Sequence, residues 1–113
     1  MNVTVRLIDA IATRKRLGRI TKRAQTVLDQ EVAKDSNVYC PEDQGDLKDS
    51  VYLSRMGSGL LTWDRVYAKR LYHGLDFNFS KDKNPNASPK WFERAKKARL
   101  RHWLEVARYE YRK

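Results

Sequence analysis

Apolar positions along the chain form two long helical patterns, one near each end, separated by a middle of shorter mixed ones. Leu17, Ile20, Ala24, Val27, Leu28 and Val32 recur at three- and four-residue steps, the spacing of one apolar helix face. Arg14, Lys15, Arg19, Lys22 and Arg23 fall largely outside that stripe. The pattern predicts a helix from about Arg14 to Lys34, capped by Thr13 and stopped by Asp35-Ser36-Asn37. Gly18 weakens its first turns, since glycine costs about 1 kcal/mol relative to alanine inside a helix. At the other end Phe92, Leu100, Trp103, Leu104, Val106, Ala107 and Tyr111 share one arc of a helical wheel. Arg94, Lys97, Arg101, Glu105, Arg108 and Arg112 occupy the opposite side. Ser88-Pro89 reads as the opening of this helix, a capping hydroxyl followed by proline at the first helical position. Met1 to Ala12 is apolar and weakly periodic, and reads equally as a short strand or a short helix.

The middle carries turn chemistry. In the stretch from Asn37 to Ser50, Pro41 fixes its own φ and pushes Cys40 out of the helical region. Gly45, after Glu42-Asp43-Gln44, is expected to take the positive φ of a sharp reversal, with Leu47 and Val51 as apolar anchors beyond it. Ser50 to Met56 alternates like a strand, Val51 and Leu53 on one face and Tyr52 and Ser54 on the other. Gly57-Ser58-Gly59 is a hairpin signal, and Leu60 to Trp63 the returning strand. Asp64 as N-cap and Gly74 just past the end frame a short helix over Arg65–His73. Leu75, Phe77 and Phe79 alternate with polar residues as a third strand, and Lys81 to Ala87 is a polar loop. Two long helices packed on a small antiparallel sheet of about three strands, with a short helix between, make one α+β domain over residues 1–113.

Charge adds a polarity to this picture. The chain carries a net charge of +10. Residues 1–34 hold eight Lys/Arg against three Asp/Glu, residues 35–89 seven against eight, and residues 90–113 nine against three. Basic ends around a neutral middle suit an acidic partner, nucleic acid or an acidic protein face, and suit equally two solvated helix surfaces. The N-terminus lacks the apolar core of a signal peptide, and no uncharged run is long enough for a membrane span. Cys40, the single cysteine, reads as a small buried filler in a reducing cytosol.

The chemistry-bearing residues form no catalytic pattern. His73 and His102 are the two histidines, with no HExxH and no cysteine pair, so neither a metal nor another cofactor is expected. Glu42, Asp43, Asp46 and Asp49 depart from calcium-loop spacing and read as turn and cap residues. Gly57-Ser58-Gly59 lacks the G-K-[ST] of a phosphate loop. Aromatics interleave with basic residues in Tyr67-Ala68-Lys69-Arg70-Leu71-Tyr72 and from Trp91 to Tyr109, yet half of them lie on the apolar stripe.

The segment from Asp35 to Ser50, read as "D-S-N-x-Y-x-P-x-D-x-G-x-L-x-x-S", resembles the minor capsid and tail-completion proteins of long-tailed bacteriophages. Tyr39, Pro41, Gly45, Leu47 and Ser50 carry that block. Trp63 followed by Val66 to Gly74, with Tyr67 and Gly74 as its fixed points, resembles a second block, "W-x(2–4)-Y-A-x-x-x-Y-x-G". Ala87 to Lys96, with Trp91, resembles a third, "A-[ST]-x-x-W-[FY]-x-x-A-K". Gln44 departs from the threonine or serine usual before the turn glycine. The resemblance implies a structural, non-enzymatic virion protein assembled in the host cytoplasm and placed at the head–tail junction. It implies a homo-oligomeric neck ring added after DNA packaging, with portal, neck or tail proteins as partners and no small-molecule substrate. Arg14, Lys15, Arg19, Lys22, Arg23, Lys97 and Arg101 are the candidate partner-binding residues, with non-specific contact to genomic DNA as a further expectation. The alternative is a small basic non-specific nucleic-acid-binding protein, and a small basic nuclease or toxin stands behind it.

Overall fold

A computed structural model describes residues 2–10, 13, 20–41, 46–65, 67–74 and 87–112. Both patterns that Met1–Ala12 allows are realised in turn: strand β1 (Asn2–Arg6) runs directly into a one-turn helix, α1 (Leu7–Ala10). Helix α2 spans Lys22–Asn37, α3 Asp46–Ser50, and a 3₁₀ turn covers Val51–Leu53. Strand β2 (Leu60–Asp64), α4 (Ala68–His73) and α5 (Trp91–Arg112) complete the order, giving an α+β architecture.

The first long helix starts later than its pattern suggests. Thr21, not Thr13, is the N-cap, with extended backbone and a hydroxyl that accepts the Ala24 N–H at 3.1 Å. Thr13 is buried and instead donates its hydroxyl to the Leu7 carbonyl at 2.7 Å. Arg14 to Arg19, including Leu17 and Gly18, lie outside the described residues. At the other end α2 runs three residues past the expected Lys34, taking in Asp35-Ser36-Asn37, and stops at Asn37, where the N–H of Val38 turns back to Asp35.

β1 and β2 pair antiparallel, Val3 opposite Trp63 and Val5 opposite Leu61. These four side chains make the buried face, while Thr4 and Thr62 meet on the other through their hydroxyls at 3.1 Å. A two-stranded ribbon is marginal by itself, so its apolar face must be covered. It joins one core with Leu28, Val32, Val51, Trp91, Phe92 and Trp103 from the helices. Trp63 meets Trp91 edge to face with centroids 5.9 Å apart, and Tyr72 meets Trp91 at 4.7 Å.

The expected hairpin strand over Ser50–Met56 is corrected to the end of α3 and the 3₁₀ turn. Its neighbours explain why. The Ser50 hydroxyl accepts the Asp64 N–H at 3.1 Å and the Ser54 hydroxyl accepts the Thr62 N–H at 2.9 Å. Two side chains thus satisfy the outer edge of β2 where a backbone ladder was expected. The turn also separates Val51, fully buried, from Leu53, 81% exposed, which alternation had put on one face. The partner of β2 is β1, more than fifty residues away, and the predicted third strand over Leu75–Phe79 lies outside the described residues.

Gly57-Ser58-Gly59 is a turn, as predicted, but it serves α2. Both glycines have positive φ, and both donate their N–H to Oδ2 of buried Asp29, at 2.7 and 3.0 Å. Asp64 is the last residue of β2 and not an N-cap; the residue before α4 is Tyr67. Gly74 is a left-handed cap, φ 68°, as the sequence indicated. At the last helix the expected opening by Ser88-Pro89 is displaced. Lys90, φ 50°, donates its N–H to Tyr72 at 2.6 Å, and its carbonyl accepts the Arg94 N–H, so helical structure begins at Trp91.

Candidate docking surface

Helices α2 and α5 lie antiparallel. Arg23, at the start of α2, pairs with Glu110 near the end of α5 at 3.3 Å, and Asp35, near the end of α2, with Arg99 early in α5 at 3.4 Å. Polar groups as well as apolar ones are held within their contact. Buried Asp35 accepts the indole N–H of Trp103 at 2.7 Å, while Phe92 stacks on that ring with centroids 5.9 Å apart. One side of α5 is therefore committed to the core through Phe92, Ala95, Trp103 and Ala107.

The opposite side is a basic ridge. Arg94, Lys97, Arg101 and Arg108 are exposed at three-, four- and seven-residue steps, with Lys90 just before them. At 1.5 Å per residue, Lys90 to Arg108 spans roughly 27 Å. Glu93 and Glu105 are set along it, and Glu105 stands 3.6 Å from Arg101. That pair is open to water and contributes little to stability, so Arg101 remains available to a partner. Lys97 lines a shallow depression of about 230 Å³ with Ser88, Lys90, Glu93 and Arg94.

Of the sequence-predicted charged residues, Lys97 and Arg101 stand on this ridge and Lys22 and Arg23 on exposed positions of the first turn of α2. The structure does not gather them into one patch. Arg23 sits level with Glu110, thirteen residues along α5 from Lys97, or roughly 20 Å. Arg14, Lys15 and Arg19 lie outside the described residues, as does Gly45. Lys90 was not among the sequence-predicted residues; the four-residue step to Arg94 and the three-residue step on to Lys97 were the available signal.

The remaining motif residues are structural pins. Tyr39 sits in the turn after α2, where its carbonyl accepts the Ser88 N–H at 2.9 Å and the Arg94 guanidinium lies 5.5 Å from its ring centre. Pro41, Cys40 and Leu47 are buried, and Ser50 ties α3 to β2. Asn37 accepts the Trp63 indole N–H at 2.9 Å and donates to the Lys48 carbonyl at 3.0 Å, closing the loop between them. Trp91 is fully buried, Gly74 caps α4, and Tyr67 is exposed. The first, second and third sequence blocks thus meet in space around Tyr39, Tyr72, Ser88 and Trp91.

Titration behaviour follows burial. Desolvation raises the Asp29 carboxyl above 3.8, against the hydrogen bonds from Gln25, Gly59 and Gly57 that favour its charge. Burial, with the negative charge of Glu93 next, pushes the Tyr72 phenol up to about 12 against a Glu93 backbone hydrogen bond. Tyr72 is therefore neutral at physiological pH. His73 is exposed at the end of α4. His102 Nε2 stands 3.4 Å from Glu31 Oε2, and Glu31, Asp35 and His102 each offer one donor atom within 4.8 Å of the others. No described helix is long and apolar enough to cross a membrane.

A family model described as "Minor capsid protein" matches residues 2–110, nearly the whole chain. The chain belongs to this bacteriophage minor capsid protein family and is a virion component. No curated protein and no solved structure matches it.

Proposed function

We propose that the chain is a subunit of the phage neck, joining head to tail as one member of a homo-oligomeric ring. Family membership supports the virion, and the observation that carries the finer reading is the basic ridge of α5, whose other side is buried in the core. A ring closes through heterologous contacts, in which one surface meets a different surface of the next copy. The ridge and the exposed Tyr52–Leu53 turn are two such unlike surfaces on separate elements. The ridge takes an acidic face of a portal, neck or tail protein, or borders the route of the genome without reading sequence.

The test is phage carrying Lys97→Glu with Arg101→Glu. Both side chains are exposed, so the fold is retained. Electron microscopy is expected to show filled heads and free tails accumulating separately. Intact infectious particles would remove the ridge from assembly. The nucleic-acid reading rests on the same ridge, and tight binding of DNA by the isolated wild type would favour it. Weak, non-specific binding that falls steeply with salt is the result expected of a neck subunit.

A further inference from the structure

Glu31 and Asp35 stand one turn apart on α2, and His102 faces them from α5. The 3.4 Å between His102 Nε2 and Glu31 Oε2 already suits two donors on a common ion. Ligands held at about 2.0–2.1 Å in a tetrahedron lie about 3.4 Å apart. The third donor is within 4.8 Å and has to close by at most about 1.4 Å, within reach of a side-chain torsion.

A second observation concerns Glu31 Oε2. It is shut off from solvent and accepts no hydrogen bond, although the Lys34 ammonium stands 3.2 Å away. A desolvated carboxylate oxygen without a directed donor is stabilised by a cation that replaces its lost water. Asp35 is already oriented: Trp103 and Arg99 both engage Oδ2. Such outer hydrogen bonds are what fix a metal-binding carboxylate. Lys34 and Arg99, the competing cations, have side chains 62% and 46% exposed and can swing into water. One imidazole with two carboxylates suits zinc or a related transition ion better than magnesium or calcium.

We propose that Glu31, Asp35 and His102 form a divalent transition-metal site of zinc type, water completing the shell, which cross-links α2 to α5. The ion binds the native helix pair and not the unfolded chain, so it stabilises the fold by mass action. The proposal does not depend on the neck reading.

The chain has two histidines, which makes the control direct. Protein free of any histidine tag is titrated with zinc chloride by calorimetry and melted with and without the metal. One zinc per chain and a raised Tm are expected. His102→Gln and Glu31→Gln, which preserve polar shape, are expected to weaken binding at least tenfold, and His73→Gln to leave it unchanged. No saturable uptake, or equal uptake by His102→Gln, overturns the site. Cobalt(II) spectroscopy on the wild type needs no variant: intense tetrahedral visible bands support the site, and the spectrum of the free aquo ion overturns it.

Discussion

The indole N–H of Trp103 donates to the Asp35 carboxylate at 2.7 Å, across the contact between the two long helices. Both residues are buried, so this bond joins the apolar arc of one helix to the stop signal of the other. Trp103→Ala is expected to cost about 3–5 kcal/mol, by the lost packing and the cavity left behind. Trp103→Phe keeps most of the ring stacking on Phe92 but removes the donor, and should cost about 1–3 kcal/mol. Denaturant melts of the two variants separate packing from hydrogen bonding. A Trp103→Phe variant as stable as the wild type would show that the bond contributes nothing.

Gly57 cannot be replaced cheaply. Its φ is 97°, and a Cβ there would lie 2.7 Å from Thr26 Oγ1. At Gly59, φ 77°, a Cβ would first meet the Gln25 amide at 3.4 Å. Gly57→Ala should therefore lower stability by more than Gly59→Ala, with strain alone worth about 1–3 kcal/mol. Thermal unfolding of both variants gives the order.

Asp29 imposes a pH dependence of defined sign. Its folded pKa is raised, so between 3.8 and that higher value the folded state holds more proton than the unfolded one. The stabilisation is complete below 3.8 and is lost as pH rises through the folded pKa. Asp29→Asn keeps an oxygen for Gly57 and Gly59 and should abolish this contribution. Carboxyl carbon shifts followed by NMR, with denaturation midpoints over the same pH range, check both the direction and its origin. An Asp29 midpoint below 3.8 would reverse the argument.

Ser50 and Ser54 should control exchange at the outer edge of β2. In Ser50→Ala the Asp64 amide loses its acceptor, and in Ser54→Ala the Thr62 amide does. Each amide is expected to exchange faster with deuterium in its own variant, while the β1-facing amides of Leu61 and Trp63 change less. Uniform acceleration would mean general destabilisation.

Much of the helical framework was legible because its signals are local. The apolar steps through Ala24, Leu28 and Val32, the arc through Phe92 and Trp103, and the Gly74 cap all depend on residues within a few turns. The three family blocks were legible for a different reason, and their meeting around Tyr39 and Trp91 shows why they travel together. The β1–β2 pairing was not legible, since neither strand contains a sign of a partner so far away. Ser50–Met56 misled because its alternation matches a strand, while two hydroxyls do the pairing. Asp29, Asp35 and Asn37 look like surface polar residues and turn signals in the sequence. Their burial becomes meaningful only when the Gly57 turn, Trp103 and Trp63 arrive to satisfy them. The two charge clusters were visible, but their separation along the helix pair was not.

The serine-sealed edge of β2 carries a consequence for how the molecule can be approached. An open strand edge is a template, on which any extended peptide can add itself with little regard for sequence. At Thr62 and Asp64 the amides are already taken by groups that belong to the fold, and no incoming backbone can claim them without displacing a hydroxyl. Recognition on that flank must therefore run through side chains, whose shape and charge discriminate between neighbours. The same two serines that erase a strand from the fold make indiscriminate stacking of one copy on the next costly there.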